Sequence, residues 1–150
     1  MGTLAVAAER LIDAPADEVY RYIADHRDHH PHFLPPAFSD FKVVSGGVGA
    51  GTVTTFKFTA GGRTRDFRMT VAEPEPGRVM TESDANSTSI TTWTVIPHNS
   101  GTCTVRISTT WQGAGGIGGF FERLFAPPVL RRIYADELSR LNTYAASHPS

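Results

Sequence analysis

Four histidines fall within seven residues of the stretch ADHRDHHPHFLPPAF, residues 24–38: His26, His29, His30 and His32. Imidazole is a common metal ligand and the side chain that titrates closest to neutral pH, so such a cluster offers metal binding or proton transfer. His26 and His30 stand four apart, the spacing at which two histidines on one helix face share a zinc ion. Pro31 argues against that use. It disfavours helical dihedrals at His30 and leaves His32 beyond the helix. A third ligand would have to come from elsewhere, from His98 or Asp28. The expectation is therefore a polar, exposed helix end and loop, with no metal and no cofactor.

Other patterns that carry chemistry are weaker. GGVGAG, residues 46–51, would cradle a phosphate only between a strand and a helix; a second β pattern follows it, so it reads as a hairpin. GAGGIGG, residues 113–119, precedes a helical pattern but lacks the spacing and lysine of a phosphate loop, and reads as a mobile loop. No G-x-S-x-G elbow is present. Cys103 is the only cysteine and falls in a strand pattern, so it reads as a buried structural thiol in a reducing compartment.

The elements that must position these residues follow from periodicity. Residues 3–12 have the apolar content of a strand, with Leu4, Val6, Ala8 and Ile12 on one side and polar Arg10 among them. APADEVYRYIADH then reads as a helix, with Pro15 at its first position, Asp17 and Glu18 in its first turn, and Val19, Tyr22, Ile23 and His26 as its buried stripe. From Phe38 onward the pattern becomes six short segments rich in threonine, valine and aromatics, separated by turn residues: an antiparallel meander. The tail, FFERLFAPPVLRRIYADELSRLNTYAAS, is helical in spacing through Phe120, Leu124, Val129, Ile133, Leu138 and Leu141. Pro127 and Pro128 predict a kink or two helices meeting there.

With 150 residues and no long linker or repeat, one domain spanning 1–150 is expected. A hydrophobic fraction of 40% and a charged fraction of 19% place the chain among globular proteins, and a net charge of −1 gives no reason to expect nucleic acid as a partner. Glu9 and Arg10 interrupt the apolar start where a secretory signal would continue, Val6 stands where myristoylation wants Ser or Thr, and no apolar run reaches 18 residues. A cytoplasmic protein without stable membrane insertion is expected. The fold class is α+β: a seven-stranded curved antiparallel sheet wrapped around a long C-terminal helix, with two short helices after the first strand.

Four motifs in order resemble the START-like, or SRPBCC, superfamily and its polyketide cyclase/dehydrase-type lipid-binding branch. They are IDAPADEVYRYIAD (12–25), HHPHFLP (29–35), VAEPEPGRVM (71–80) and SGTCTVRIS (100–108). The resemblance covers nearly the whole chain. It implies the helix-grip fold, a deep apolar cavity between the sheet and the C-terminal helix, and no common cofactor. The implied activities range from lipid carriage to polyketide cyclisation.

Period-two alternation assigns the cavity wall. Phe56 and Phe58 share a face; Arg65, Phe67, Met69 and Val71 share another; Val79, Thr81 and Ser83 a third. Thr91, Trp93 and Val95 follow, then Cys103, Val105, Ile107, Thr109 and Trp111. The wall residues expected to meet ligand are Phe33, Phe56, Phe58, Phe67, Met69, Trp93, Trp111, Phe121 and Phe125, with Arg65, Thr81 and Thr91 as polar contacts. Three functions stay open. The first is binding of a small hydrophobic or aromatic ligand, lipid- or polyketide-like. The second is a polyketide cyclase or aromatase that folds such a ligand, with Arg65, Tyr22, Thr81 and Thr91 as its polar groups. In this phase no histidine or carboxylate clearly faces inward, which counts against it. The third is a non-catalytic interaction or stress-type module with a filled core. An inward proton-transfer group with a shifted pKa would favour the second; a cavity too small for ligand would favour the third.

Overall fold

The computed structural model describes residues 3–112 and 127–147. Strand β1 (Thr3–Ile12) leads into helix α1 (Ala16–Ala24) and a short 3-10 helix (His30–Phe33). Strands β2 (Phe38–Ser45), β3 (Val53–Ala60), β4 (Arg63–Glu75), β5 (Val79–Asp84), β6 (Ile90–Pro97) and β7 (Cys103–Gln112) follow, then helix α2 (Pro127–Ser147). All seven strands join one antiparallel sheet in the order β1-β7-β6-β5-β4-β3-β2. The meander thus pairs each strand with its successor, and only β1 crosses over, to pair with β7 from Thr3↔Gln112 to Ile12↔Cys103.

The sheet buries one face, and α2 lies against β1 and the 3-10 helix. Burial alternates with the pleat: Phe56, Phe58 and Ala60 on β3, Phe67, Met69 and Val71 on β4, Trp93 and Val95 on β6, and every second residue from Cys103 to Trp111 on β7. On α2 the buried stripe is Leu130, Tyr134, Glu137, Leu138, Leu141 and Ala145, a helical period that admits a carboxylate. Pro127 and Pro128 stand at the start of this helix; the expected helix before them, with Phe120 and Leu124, lies outside the described residues, as does the GAGGIGG segment. None of the described helices is long and apolar enough to cross a membrane.

Pro15 sits one residue earlier than expected, capping α1 from outside, and Asp17 and Glu18 complement the dipole of the first turn. The loop between β2 and β3 folds back onto the other end of α1. The Gly49 N–H donates to Ala24 O at 3.0 Å and the His26 N–H to Gly47 O at 2.8 Å. Gly49 has φ +70, a backbone conformation that L side chains rarely adopt, so glycine suits the turn that brings the loop onto α1.

Cys103 is fully buried, as expected, and burial pushes its thiol up to about 11. The native protein should therefore resist a thiol-disulfide reagent at pH 8 and react at one equivalent once unfolded in guanidinium. Rapid labelling of the native state would show that β7 opens locally.

Candidate functional site

Helix α1 ends at Ala24, and its last carbonyls lack intrahelical partners. Two histidine rings supply them. His26 Nδ1 lies 3.1 Å from Ala24 O, and His30 Nδ1 lies 2.7 Å from Ile23 O. A carbonyl only accepts, so each Nδ1 carries the hydrogen and each Nε2 faces inward. Asp25 makes the turn that allows this: its carbonyl accepts from the His29 and His30 N–H groups at 3.2 and 2.8 Å, and its Oδ1 from the Arg27 and Asp28 N–H groups. The chain leaves the helix before His30, yet the turn lays the two rings on each other, centroids 4.6 Å apart and 12° from parallel.

The four histidines therefore divide. His26 and His30 are buried. His29 and His32 lie on the other side, against Tyr144: His29 Nδ1 is 2.6 Å from the Tyr144 hydroxyl, and the His32 ring stacks on the Tyr144 ring. The expectation of an exposed helix end holds for His32 and fails for His30, while His26 is buried in line with the apolar stripe expected of the first helix. The carboxylates that meet the buried pair are neither of the expected third ligands. Glu82 on β5 places Oε2 3.5 Å from His26 Nε2, and Glu137 on α2 places Oε2 3.8 Å from His30 Nε2. The Trp93 indole N–H donates to Glu82 Oε1 at 2.8 Å.

A cavity opens beside this cluster. Its wall joins five phenylalanines (Phe38, Phe41, Phe56, Phe58, Phe67), Met69, Trp93 and Ile107 with Leu34 and Leu130. His30, Glu82, Glu137, Ser89, Thr91, Thr109 and Tyr134 supply the polar lining. Thr91 and Thr109 hydroxyls stand 2.8 Å apart across the β6–β7 pair, and Thr109 hydrogen-bonds the Tyr134 hydroxyl. The cavity has a free volume of about 50 Å³. That is room for a few waters.

Of the residues expected from the sequence, Phe56, Phe58, Phe67, Met69, Thr91 and Trp93 line this cavity. Phe33 is buried one layer behind, its ring packed on those of His30 and Trp93. Trp111 is buried away from the lining, and Tyr22 packs on His29 and Tyr144. Phe121 and Phe125 lie outside the described residues.

Two assignments are corrected. Strand β5 is one residue out of the expected phase: Met80, Glu82 and Asp84 point inward, while Val79, Thr81 and Ser83 are only half-buried on the other face. Val79 and Met80 are adjacent apolar residues, and choosing the first turned every later side chain round. The pairing Met80↔Trp93 and Glu82↔Thr91 fixes the true phase. Thr81 is thus no wall residue, and the expectation that no histidine or carboxylate faces inward is overturned by His30, Glu82 and Glu137. Arg65 does not line the cavity either. Its Nη1 donates to Asp84 Oδ2 at 2.9 Å, and its guanidinium lies 4.5 Å over the Phe67 ring.

Burial dominates the electrostatics here. Desolvation, reinforced by neighbouring His26, lowers His30 to about 4, so the ring is neutral at pH 7. Desolvation raises Glu137 well above the ordinary carboxylate value, with Glu82 adding to the rise. Burial pulls Glu82 upward as well, but His26, His30 and the Trp93 N–H outweigh it and hold Glu82 below its ordinary value. Two carboxyls facing one cavity are therefore pushed in opposite directions, an arrangement that separates a proton holder from an anion.

A seven-stranded antiparallel sheet closed by a long C-terminal helix over an interior cavity defines the helix-grip class. Within it, this chain belongs to the family described as polyketide cyclase / dehydrase and lipid transport, whose profile matches residues 3–146. KanY protein, known from a solution NMR structure, is 39% identical over 97% of this chain and 99% of its own, with a TM-score of 0.84. The Zhui aromatase/cyclase from Streptomyces sp. R1128 superimposes with a TM-score of 0.77 at 16% identity, over 97% of this chain and 94% of its own. Norcoclaurine synthase from Thalictrum flavum, in complex with dopamine and hydroxybenzaldehyde, gives 0.75 at 19% identity, over 99% of this chain and 90% of its own. The last two are likenesses of fold. No curated protein matches the chain in sequence.

Proposed function

We propose that the protein binds a small, mostly apolar aromatic or polyketide-like molecule in this cavity, with one polar atom of the ligand turned toward His30, Glu82 and Glu137. The observation that carries the reading is the mixed lining itself: a wall of phenylalanines beside three ionisable side chains that a merely filled core has no use for. Apolar burial supplies the affinity, about 25 cal/mol per Å² before ordering costs, and the polar groups select orientation. Because the free space holds only a few waters, an aromatic ligand must spread the wall as it enters. The membership of the family and the 39% identity to KanY protein support a ligand-binding module of this kind.

A second reading, a cyclase that moves protons on a bound β-polyketone, is favoured by the opposed shifts of Glu82 and Glu137. Native mass spectrometry of protein purified from its host, with extraction of any passenger, tests the first. A stoichiometric apolar passenger is expected. A passenger cyclised relative to its linear precursor would select the second. A clean apo mass, with no thermal shift across a panel of lipids and aromatics, would overturn both and leave a filled-core module.

A further inference from the structure

The two buried histidines and Glu82 form an arrangement that ligand binding alone does not explain. We propose that His26, His30 and Glu82 hold a divalent transition-metal ion, with Glu137 beside the coordination position that opens into the cavity.

Each imidazole donates Nδ1–H to a terminal carbonyl of α1, Ala24 O or Ile23 O. That contact is the outer-shell partner a metal-bound histidine ordinarily has: it fixes the tautomer and leaves the Nε2 lone pair for the metal. Both histidines are buried, and His26 Nε2 has no hydrogen-bond partner among the described residues. Glu82 faces them, oriented from behind by the Trp93 N–H. One ligand atom from each of the three residues lies within 4.8 Å of the others. The contact between His26 Nε2 and Glu82 Oε2 is at the outer limit of a hydrogen bond and suits a shared ion. With bonds of about 2.0–2.2 Å, a tetrahedral edge is roughly 3.4 Å. The His26 Nε2–Glu82 Oε2 separation is 3.5 Å.

Charge points the same way. Two imidazole nitrogens and two carboxyl groups meet here with no protein cation between them among the described residues, and parallel rings 4.6 Å apart disfavour carrying a positive charge on both. A dication balances two carboxylates and is held by neutral imidazoles. Two histidines and one carboxylate with an open position suit zinc or iron(II). The open position faces the cavity because His30, Glu82 and Glu137 line it. The site stands on these contacts alone; that the bound ligand meets the metal rests on the cavity reading above.

Cobalt(II) titration of protein dialysed against a chelator tests the proposal with the metal alone. Stoichiometric uptake is expected, with intense visible d–d bands for four-coordination or weak ones for six, displacement by zinc, and a higher unfolding temperature with one equivalent of zinc. Glu82→Gln keeps an acceptor for Trp93, and with His26→Gln it should weaken cobalt binding by more than about 100-fold at unchanged far-ultraviolet circular dichroism. Absence of bands and of any zinc-dependent thermal shift in the wild-type protein would overturn the site and leave the cluster held by protons. Bands that persist in both variants would also overturn it, placing the metal elsewhere. Uptake of a fluorescent apolar probe by the chelator-treated protein is read in parallel, so that a failed metal site and a failed cavity give different results.

Discussion

Arg65→Met is expected to destabilise the protein by about 3 kcal/mol, the low end of the cost of stranding one partner of a buried ion pair. The Asp84 side chain is wholly inaccessible and that of Arg65 is 14% exposed. Removing the guanidinium leaves a carboxylate in the core on a strand whose inward phase it cannot leave. Two donors remain, the Ser87 hydroxyl at 2.7 Å and the Arg68 N–H at 3.2 Å, which is why the low end is expected. The loss of the guanidinium's seat on the Phe67 ring adds a smaller term. Asp84→Asn in the Arg65→Met background removes the stranded charge and keeps an acceptor for Ser87, so it should restore most of the stability. Urea unfolding at constant m-value measures both. A loss below about 1 kcal/mol for Arg65→Met would mean the pair is solvated like a surface bridge.

This arginine shows where sequence reading succeeded and where it stopped. Alternation placed it correctly in phase with Phe67 and Met69, because apolar residues on β4 recur strictly at every second position. Its partner was hidden by the slip on β5, where the adjacent apolar residues Val79 and Met80 fit either phase. Carboxylates are seldom buried unless paired, and the pairs here come from distant segments: Arg65 for Asp84, Trp93 and His26 for Glu82. The strand order, the helix after β1 and the long C-terminal helix were legible because each rests on local periodicity. The histidine pair was not. Pro31 does end helical geometry, but the Asp25 turn then returns His30 to the ring of His26, and nothing in their four-residue spacing reveals a turn. Glu137 did leave a signal: it lies three residues after Tyr134 and seven after Leu130, inside an apolar stripe that a solvated glutamate would avoid.

Glu137→Leu is expected to stabilise the metal-free protein by about 1–3 kcal/mol, since replacing a buried ionisable arrangement with apolar bulk is often favourable by that amount. The sign follows from what the substitution removes and what it leaves. Glu137 is 2% exposed on the buried stripe of α2, and the neutral His30 ring, its Nε2 3.8 Å from the carboxyl, is too far to repay desolvation. His30, held neutral at pH 7 and hydrogen-bonded through Nδ1 to Ile23 O, is left with no stranded charge when the carboxyl goes. Leucine keeps the helix and adds apolar contact with the phenylalanine wall. Glu137→Gln, which removes ionisation without adding apolar surface, should fall between the two, and thermal unfolding after chelator treatment orders the three proteins. A destabilisation of more than about 1 kcal/mol by leucine would show instead that Glu137 is a satisfied member of a structural polar network. Should leucine stabilise, and at the same time weaken a polar aromatic ligand by about tenfold, the glutamate is held at the cavity wall against the stability of the fold, which is the relation expected of a group kept for what it does to a ligand.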